Sequence, residues 1–573
     1  MTKVWRRTHR RLVVTYTLSV AIAVLLFDPL STASSVKTLS VSVVALALYL
    51  AGLLERPKGR QNAHFSYADL AGIAFLGLSA LSLAWGRPGG LVDLAGWMGG
   101  ATLVIALKRL PRTTRFRIFE ASAVTIGVVS ALVAVVQKAT HHEATAGHGN
   151  PDWLGLALSL SFPVCLDMAR RARRSRVLLA TPVVVVAAAL YLSHSRVGWV
   201  AAGVSVAMML FMLVRVRRGG SHAFFAAPGI GGHLGAFREA DAARAYAGRL
   251  WIWEHSARAT LEHPFVGAGL GRFGFAYQDA QGVSLSRMPA PDAARRFINA
   301  TTAHDDYLQI ACESGIPAAA AFALFLVRST VALARQRALG AFGTFVSFAV
   351  CALGDSPARQ PACIVLLALA YACVADTPVT AKWASEARRL SLAFAILPIA
   401  TCLFSASHYR NDRLRVRGTL SVGEGSRHLL ERAARFDVTG EADFELGLRA
   451  LAEGLPSLAA HHLSRSSDVF ANVGTHVALG NAHAALGDPR AAKEDYERAL
   501  KRNPGSLKAH MNLAEIDRRL GLLGDARSHA ETARRIAPYH PKVLDLVDRL
   551  DEDELHSQEL ERVDIDDDVD GTW

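Results

Sequence analysis

Apolar runs of membrane-spanning length follow one another through the first 400 residues of this 573-residue chain, and they constrain its fold more than any motif does. Crossing a bilayer takes about 20 mostly apolar residues, because backbone polar groups find no water in hydrocarbon and must bond within their own helix. Such runs are read at 12–30, 36–54, 68–86, 90–108, 117–137, 152–170, 176–193, 196–216, 306–334, 340–356, 361–376 and 388–406. With 51% hydrophobic and 20% charged residues, the chain lies outside the range of an ordinary soluble protein. An all-α fold follows, led by a polytopic helical membrane domain of about 12 to 13 spans over residues 1–410.

The net charge of +13 does not point to nucleic acid, because Lys and Arg cluster at the ends of apolar runs instead of lining one polar face. Arg6 to Arg11 precede an apolar run without a convincing cleavage site, so the first run is expected to stay as an uncleaved span. Basic clusters then recur after every second span, at Arg56–Arg60, Lys108–Arg117, Arg170–Arg176 and Arg215–Arg218, which places them and the N-terminus on the cytoplasmic side. The next clear span also ends in basic residues, Arg335 and Arg337, so an extra crossing is needed, for which 222–237 is the one weak candidate. The cluster Arg410, Arg413, Arg415 and Arg417 pulls against that thirteenth crossing. The six cysteines lie in or beside apolar segments without CxxC spacing and read as small core residues.

Beyond a linker at 411–439 the pattern changes to a period of about 34 residues, that of tetratricopeptide helical hairpins. Leu479-Gly480, Gly487, Ala492, Tyr496, Ala499 and Pro504 fit the consensus, and Leu513-Ala514, Gly521, Ala526, Ala530, Ala533 and Pro538 repeat it. Leu446-Gly447, Gly454 and Ala459 form a poorer first copy. Residues 440–545 are thus expected to form a small tetratricopeptide-like α-solenoid with a surface for a protein partner. The acidic tail 546–573 is expected to be disordered.

The chemistry is placed in the polar stretch within 217–305 and the residues flanking it. Ser193-His194-Ser195-Arg196 opens one span; then come Gly248-Arg249-Leu250-x-Ile252-Trp253, His263-Pro264-x-x-Gly267-x-Gly269-x-Gly271-Arg272-Phe273, and Ala303-His304-Asp305-Asp306-Tyr307-Leu308-Gln309 with Glu313-x-Gly315. Together with Asn150-Pro151-Asp152 before an earlier span, these motifs resemble the O-antigen ligase and polymerase superfamily over roughly residues 12–406.

The resemblance implies a glycosyltransferase that moves a glycan from an undecaprenyl-diphosphate carrier to an acceptor hydroxyl, at the outer face of a bacterial inner membrane and without a metal ion. Lipid A-core is the ligase acceptor and the growing glycan the polymerase acceptor; related enzymes modify proteins. It puts His304 at the catalytic base and Arg196 and Arg249 at the diphosphate. Asp305, Gly267, Gly269, Gly271 and Arg272 are supporting residues. The catalytic loop and the repeats are expected on the periplasmic side. No cofactor is expected, since the lipid-linked glycan is a substrate.

Elementary chemistry supports those roles. An imidazole takes a hydroxyl proton near neutral pH. Two guanidinium forks offset the charge of a leaving diphosphate. The duller readings make His304 a cap or a backbone partner, and Arg196 an interfacial anchor. Asp305, where Asn is also common in the family, offers a carboxylate that could orient the His304 ring. Gly269-x-Gly271-x-x-Gly274 satisfies the dinucleotide pattern literally but follows His-Pro in a loop, so its glycines are read as a tight turn bringing backbone near substrate. His141, His142, Glu143 and His148 are read as solvated loop residues, not metal ligands. Two other classes compete: a carrier-lipid transporter and an inactive membrane scaffold for the repeats.

Overall fold

The computed structural model describes residues 3–54 except Phe27 and Leu30, then 66–140, 142–172, 176–218, 240–375 and 387–569. The weak crossing expected at 222–237 lies outside them. Among the described residues every regular element is helical: α1 (Lys3–Leu25), α2 (Ala33–Leu54), α3 (Tyr67–Ser82), α4 (Gly90–Lys108), α5 (Arg112–Ala139), α6 (Pro151–Arg171), α7 (Arg176–Leu192), α8 (Arg196–Arg218), α9 (Ala240–Glu262), α10 (Phe273–Leu285), α11 (Ala290–Arg296), α12 (Asp306–Ser314), α13 (Ile316–Arg335), α14 (Leu339–Cys351), α15 (Pro361–Ala372) and α16 (Ala387–Leu420). The series continues with α17 (Glu424–Ala434), α18 (Glu441–Ala452), α19 (Pro456–Val469), α20 (Val473–Ala485), α21 (Pro489–Arg502), α22 (Leu507–Arg519), α23 (Leu523–Ile536) and α24 (Pro541–Val569).

The helices sort into two compact units. The first comprises Met1–Trp253, Thr260–Phe273 and Thr302–Leu420. Among the described residues six of its helices are long and apolar enough to cross a membrane: α2, α4, α5, α6, α8 and α13. Their outward faces carry large hydrophobics such as Ile105, Val136, Leu210 and Val327, a surface that suits hydrocarbon and not water. The inward faces share a core in which α6 packs on α14 and α8, and α3 on α13. Five of the six cysteines are buried there as free thiols.

The expected run 306–334 is two helices instead of one. Gly315 at φ +85° breaks it, and the left-handed turn followed by Ile316-Pro317 lets α13 start afresh in a new direction.

The second unit comprises Glu254–Ala259, Gly274–Thr301 and Ser421–Trp573. The pairs α18/α19, α20/α21 and α22/α23 are the three helical hairpins expected from the repeat. Gly480 takes the ring of Tyr496 and Gly447 takes Leu463 where paired helices meet, so small residues set the spacing. The expected linker 411–439 is largely helical, since α16 runs to Leu420 and α17 covers Glu424–Ala434. The acidic tail is helical to Val569, because Val543, Leu546 and Leu550 supply an apolar stripe that buries against the last repeat and α24 extends from it.

Candidate active site

The site is built around the start of α12. Asp305 is its N-cap, with Oδ1 accepting the Leu308 N–H at 2.8 Å. His304 stands just before it at φ +50°, a left-handed conformation uncommon for any residue but glycine. Its neighbours enforce that conformation. The Ala303 N–H donates to Gln309 Oε1 at 3.0 Å, and the Ala303 carbonyl accepts from Trp253 Nε1 at 3.0 Å. On the other side, the Asp306 N–H donates to the Ala352 carbonyl at 2.8 Å. The Gly-Arg-Leu-x-Ile-Trp and Ala-His-Asp-Asp motifs are thus joined by one indole hydrogen bond.

The His304 side chain is 40% exposed, yet its Nδ1 is buried, lies 3.6 Å from Asp355 Oδ1 and has no hydrogen-bond partner. The exposed part of the ring therefore excludes Nδ1 and leaves Nε2 as the nitrogen able to meet a substrate. Asp305, expected to orient the ring, instead caps α12 and is held above the usual carboxylate range by burial. Asp355 takes the place beside the imidazole. It lies in Gly354-Asp355-Ser356-Pro357-Ala358-Arg359, a polar break between two apolar runs, and an ionisable residue there is the signal that could have found it.

Two more charges join this group. Asp152, in the first turn of α6 behind its Asn150 cap, hydrogen-bonds Ser195 and interacts electrostatically with Asp355, Arg249 and His304. Arg196 opens α8 at the same end of the unit. Its neighbour Ser195 bonds Asp152, and its other neighbour, Val197, packs against Gly354 beside Asp355. Sequence segments more than 200 residues apart thus meet as one cluster of His304, Asp355, Asp152 and Arg249, with Arg196 adjacent in the chain.

Behind the cluster lies a buried network centred on Arg359, a residue sequence reasoning passed over. Its guanidinium reaches Asp93 at 3.1 Å, Asp306 at 3.2 Å and Glu313 at 2.6 Å. One cation faces three carboxyl groups, and burial pushes Asp306 and Glu313 up to about 7. Glu313 Oε1 also accepts the N–H groups of Gly271 at 3.1 Å and Phe273 at 3.3 Å. The His-Pro-x-x-Gly-x-Gly-x-Gly loop is thereby strapped down: Gly269 N–H donates to the Glu313 carbonyl, and Arg87 N–H to the Leu270 carbonyl.

The loop glycines therefore make their close approach to the chain's own backbone. A Cβ on Gly271, at φ +80°, would stand 2.4 Å from the Gly90 nitrogen. Gly271→Ala is expected to lower unfolding stability by about 1–3 kcal/mol, from left-handed strain plus displacement of the α3–α4 turn. Thermal unfolding in detergent checks it; an unchanged midpoint contradicts this packing.

His148, expected to be solvated, is 5% exposed, between Lys37 Nζ at 3.2 Å and Ser130 Oγ at 3.0 Å. Burial and the lysine charge hold it neutral. No group of three or more His, Cys, Asp or Glu suited to a metal ion is found among the described residues.

Residues 181–323 match the model of the O-antigen ligase family. That span contains His304, Arg249, Arg196 and the Gly-rich loop, whereas Asp152 and Asp355 of the charged cluster lie outside it. Residues 477–541 match a tetratricopeptide repeat model. The chain thus carries a segment similar to the O-antigen ligase family and another similar to a tetratricopeptide repeat, together with six helices, among the described residues, long and apolar enough to cross a membrane. No curated protein matches it. A crystal structure of the APC/C hetero-tetramer Cut9-Hcn1 aligns with 90% of this chain and 90% of its own at 13% identity, but its TM-score of 0.24 is too low to bear on the fold.

Proposed function

We propose that this protein is a metal-independent glycosyltransferase of the O-antigen ligase kind, moving a glycan from an undecaprenyl-diphosphate carrier to an acceptor hydroxyl such as that of lipid A-core. The observation that carries the reading is the His304 ring, with a buried Nδ1 3.6 Å from Asp355 and a side chain that is nonetheless 40% exposed. Nε2 takes the acceptor proton as the oxygen attacks the anomeric carbon, the bond to the diphosphate breaks, and the electron pair leaves on the phosphate oxygen. Asp355 stabilises the positive charge the ring gains. Arg249, assisted by Arg196, binds the diphosphate and offsets the charge developing on it. The catalytic segment would face the periplasm of a bacterial inner membrane, where carrier-linked glycans are consumed, and a protein partner would meet the repeats.

Purified protein supplied with carrier-linked glycan and lipid A-core tests the reaction. Transfer to lipid A-core supports ligation. Elongation of the carrier-linked glycan alone assigns polymerisation to the same site, and carrier movement across a bilayer without transfer replaces both with transport. Arg249→Ala is expected to raise the donor KM by about 10- to 100-fold, the equivalent of about 1.5–3 kcal/mol for charge-assisted hydrogen bonds. An unchanged KM removes Arg249 from the diphosphate.

A further inference from the structure

Residues Gly274–Thr301, which lead directly into the His304 turn, pack in one unit with the repeats. Their seat runs along the turns between successive repeats. Gln278 Nε2 donates to the Ala471 carbonyl at 2.8 Å, and Arg502 Nε pairs with Asp279 Oδ1 at 2.9 Å. Phe297 packs against the repeat core formed by Val473, Val477 and Tyr496. The approach is closest at two glycines, one on each side. A Cβ on Gly282 would stand 2.3 Å from the Lys501 carbonyl oxygen, and a Cβ on Gly505 2.2 Å from the Ala294 nitrogen.

The repeat supplies its own control. Positions 471, 505 and 539 are equivalent, 34 residues apart, and carry Ala, Gly and Tyr. The first two turns are small where the segment lies on them. The third holds Tyr539, which is 91% exposed with nothing over it. The repeat fold accepts a large residue at this position, so Gly505 answers to the docked segment and not to the hairpin.

The segment is also closed on itself. Gln281 bonds both backbone groups of Ile298, at 2.9 and 3.1 Å, and Gln278 bonds Asn299 Oδ1 at 2.6 Å. Fixing α10 therefore fixes Asn299, five residues before His304.

We propose that the repeats bind residues 274–301 as a ligand in cis, seated on Ala471 and Gly505, and that this clamp positions the chain entering the His304 turn for the transfer reaction. Gly505 is a positioning residue. The second half of the statement rests on the function proposed above; the first does not. A clamp of this kind limits excursions of the backbone before the base, and small displacements of a reacting group are costly in rate.

The experiment uses the full-length protein in detergent, with Gly505→Tyr compared against Tyr539→Gly. Two readouts are taken: trypsin cleavage at Arg287, Arg295 and Arg296, and the kcat and KM of glycan transfer. Gly505→Tyr is expected to speed cleavage in that segment by roughly tenfold or more, through local release of the segment, and to lower kcat with donor KM unchanged. Tyr539→Gly changes neither. Gly282→Leu places the wedge on the segment and leaves the repeats intact, so it must reproduce both effects even if Gly505→Tyr disturbs its hairpin. Wild-type protection in both wedge variants overturns the docking. Faster cleavage at the wild-type kcat overturns the positioning role. Wild-type protein that transfers no glycan but shows the cleavage pattern refutes the assigned reaction and leaves the cis clamp standing.

Discussion

His304→Ala is expected to lower kcat for the proposed glycan transfer by about 10²- to 10⁴-fold, the usual contribution of a positioned general base, and to leave the donor KM close to its original value. The split follows from the roles proposed for these residues. On that reading the ring meets the acceptor and Arg249 and Arg196 hold the donor diphosphate, so removing the imidazole does not remove donor binding. Asp355→Asn is expected to lower kcat less, since it only stabilises the charge the ring acquires and lies 3.6 Å from Nδ1. The double variant His304→Ala/Asp355→Asn should be no slower than His304→Ala alone, because a carboxylate that works through the ring has nothing to act on once the ring is gone. Single-turnover assays with carrier-linked glycan decide both points. A His304→Ala protein turning over at the wild-type rate removes the base, and a further drop in the double variant gives Asp355 an independent role.

The motifs that gather at this site stand out in the sequence as polar stretches between apolar runs, because charged residues are rare within such runs. Their local structure is less legible: 306–334 reads as one span, although Gly315-Ile316-Pro317 starts a new helix, and Asp305 as a partner of the His304 ring, although it caps α12. What was not legible is pairing across the chain. The carboxylate facing His304 is not its neighbour Asp305 but Asp355, 51 positions on. Nothing in local spacing says which of two polar breaks will meet. Arg359 escaped notice for the same reason: its partners come from two segments distant from it in the chain, Asp93 from α4 and Asp306 and Glu313 from α12. The acidic tail was misjudged because composition outweighed the sparse stripe Val543, Leu546 and Leu550, three residues sufficient to dock a helix when a repeat offers an open face. The segment 274–301 carried no signal for its seat on the repeats, since a glycine such as Gly505 reads as turn chemistry until something is seen lying against it.

Arg359→Met is expected to destabilise the membrane unit by about 3–5 kcal/mol, the usual cost of removing one partner from a buried charge network. Methionine fills the space of the arginine stem but leaves Asp306 and Glu313, both buried, without their cation. The loss should depend on pH, and its sign can be worked out. Asp306 and Glu313 are raised to about 7 in the folded protein, above their ordinary values of 3.8 and 4.5. The stability linked to their bound protons is fully present below the ordinary carboxylate range and is lost as the pH rises through about 7. At pH 5 the two groups are largely neutral and the missing guanidinium matters less; at pH 8 the wild type ionises them beside Arg359, whereas the variant, having lost the charge that lowers them, either keeps their protons or buries unpaired carboxylates. The gap in unfolding midpoint between wild type and Arg359→Met should therefore widen from pH 5 to pH 8. Because Glu313 also holds the N–H groups of Gly271 and Phe273, the variant should lose its glycine-rich loop first, seen as faster amide exchange at 267–273 before global unfolding. A gap independent of pH would mean that packing of the arginine stem, and not its charge, is what holds the three segments together.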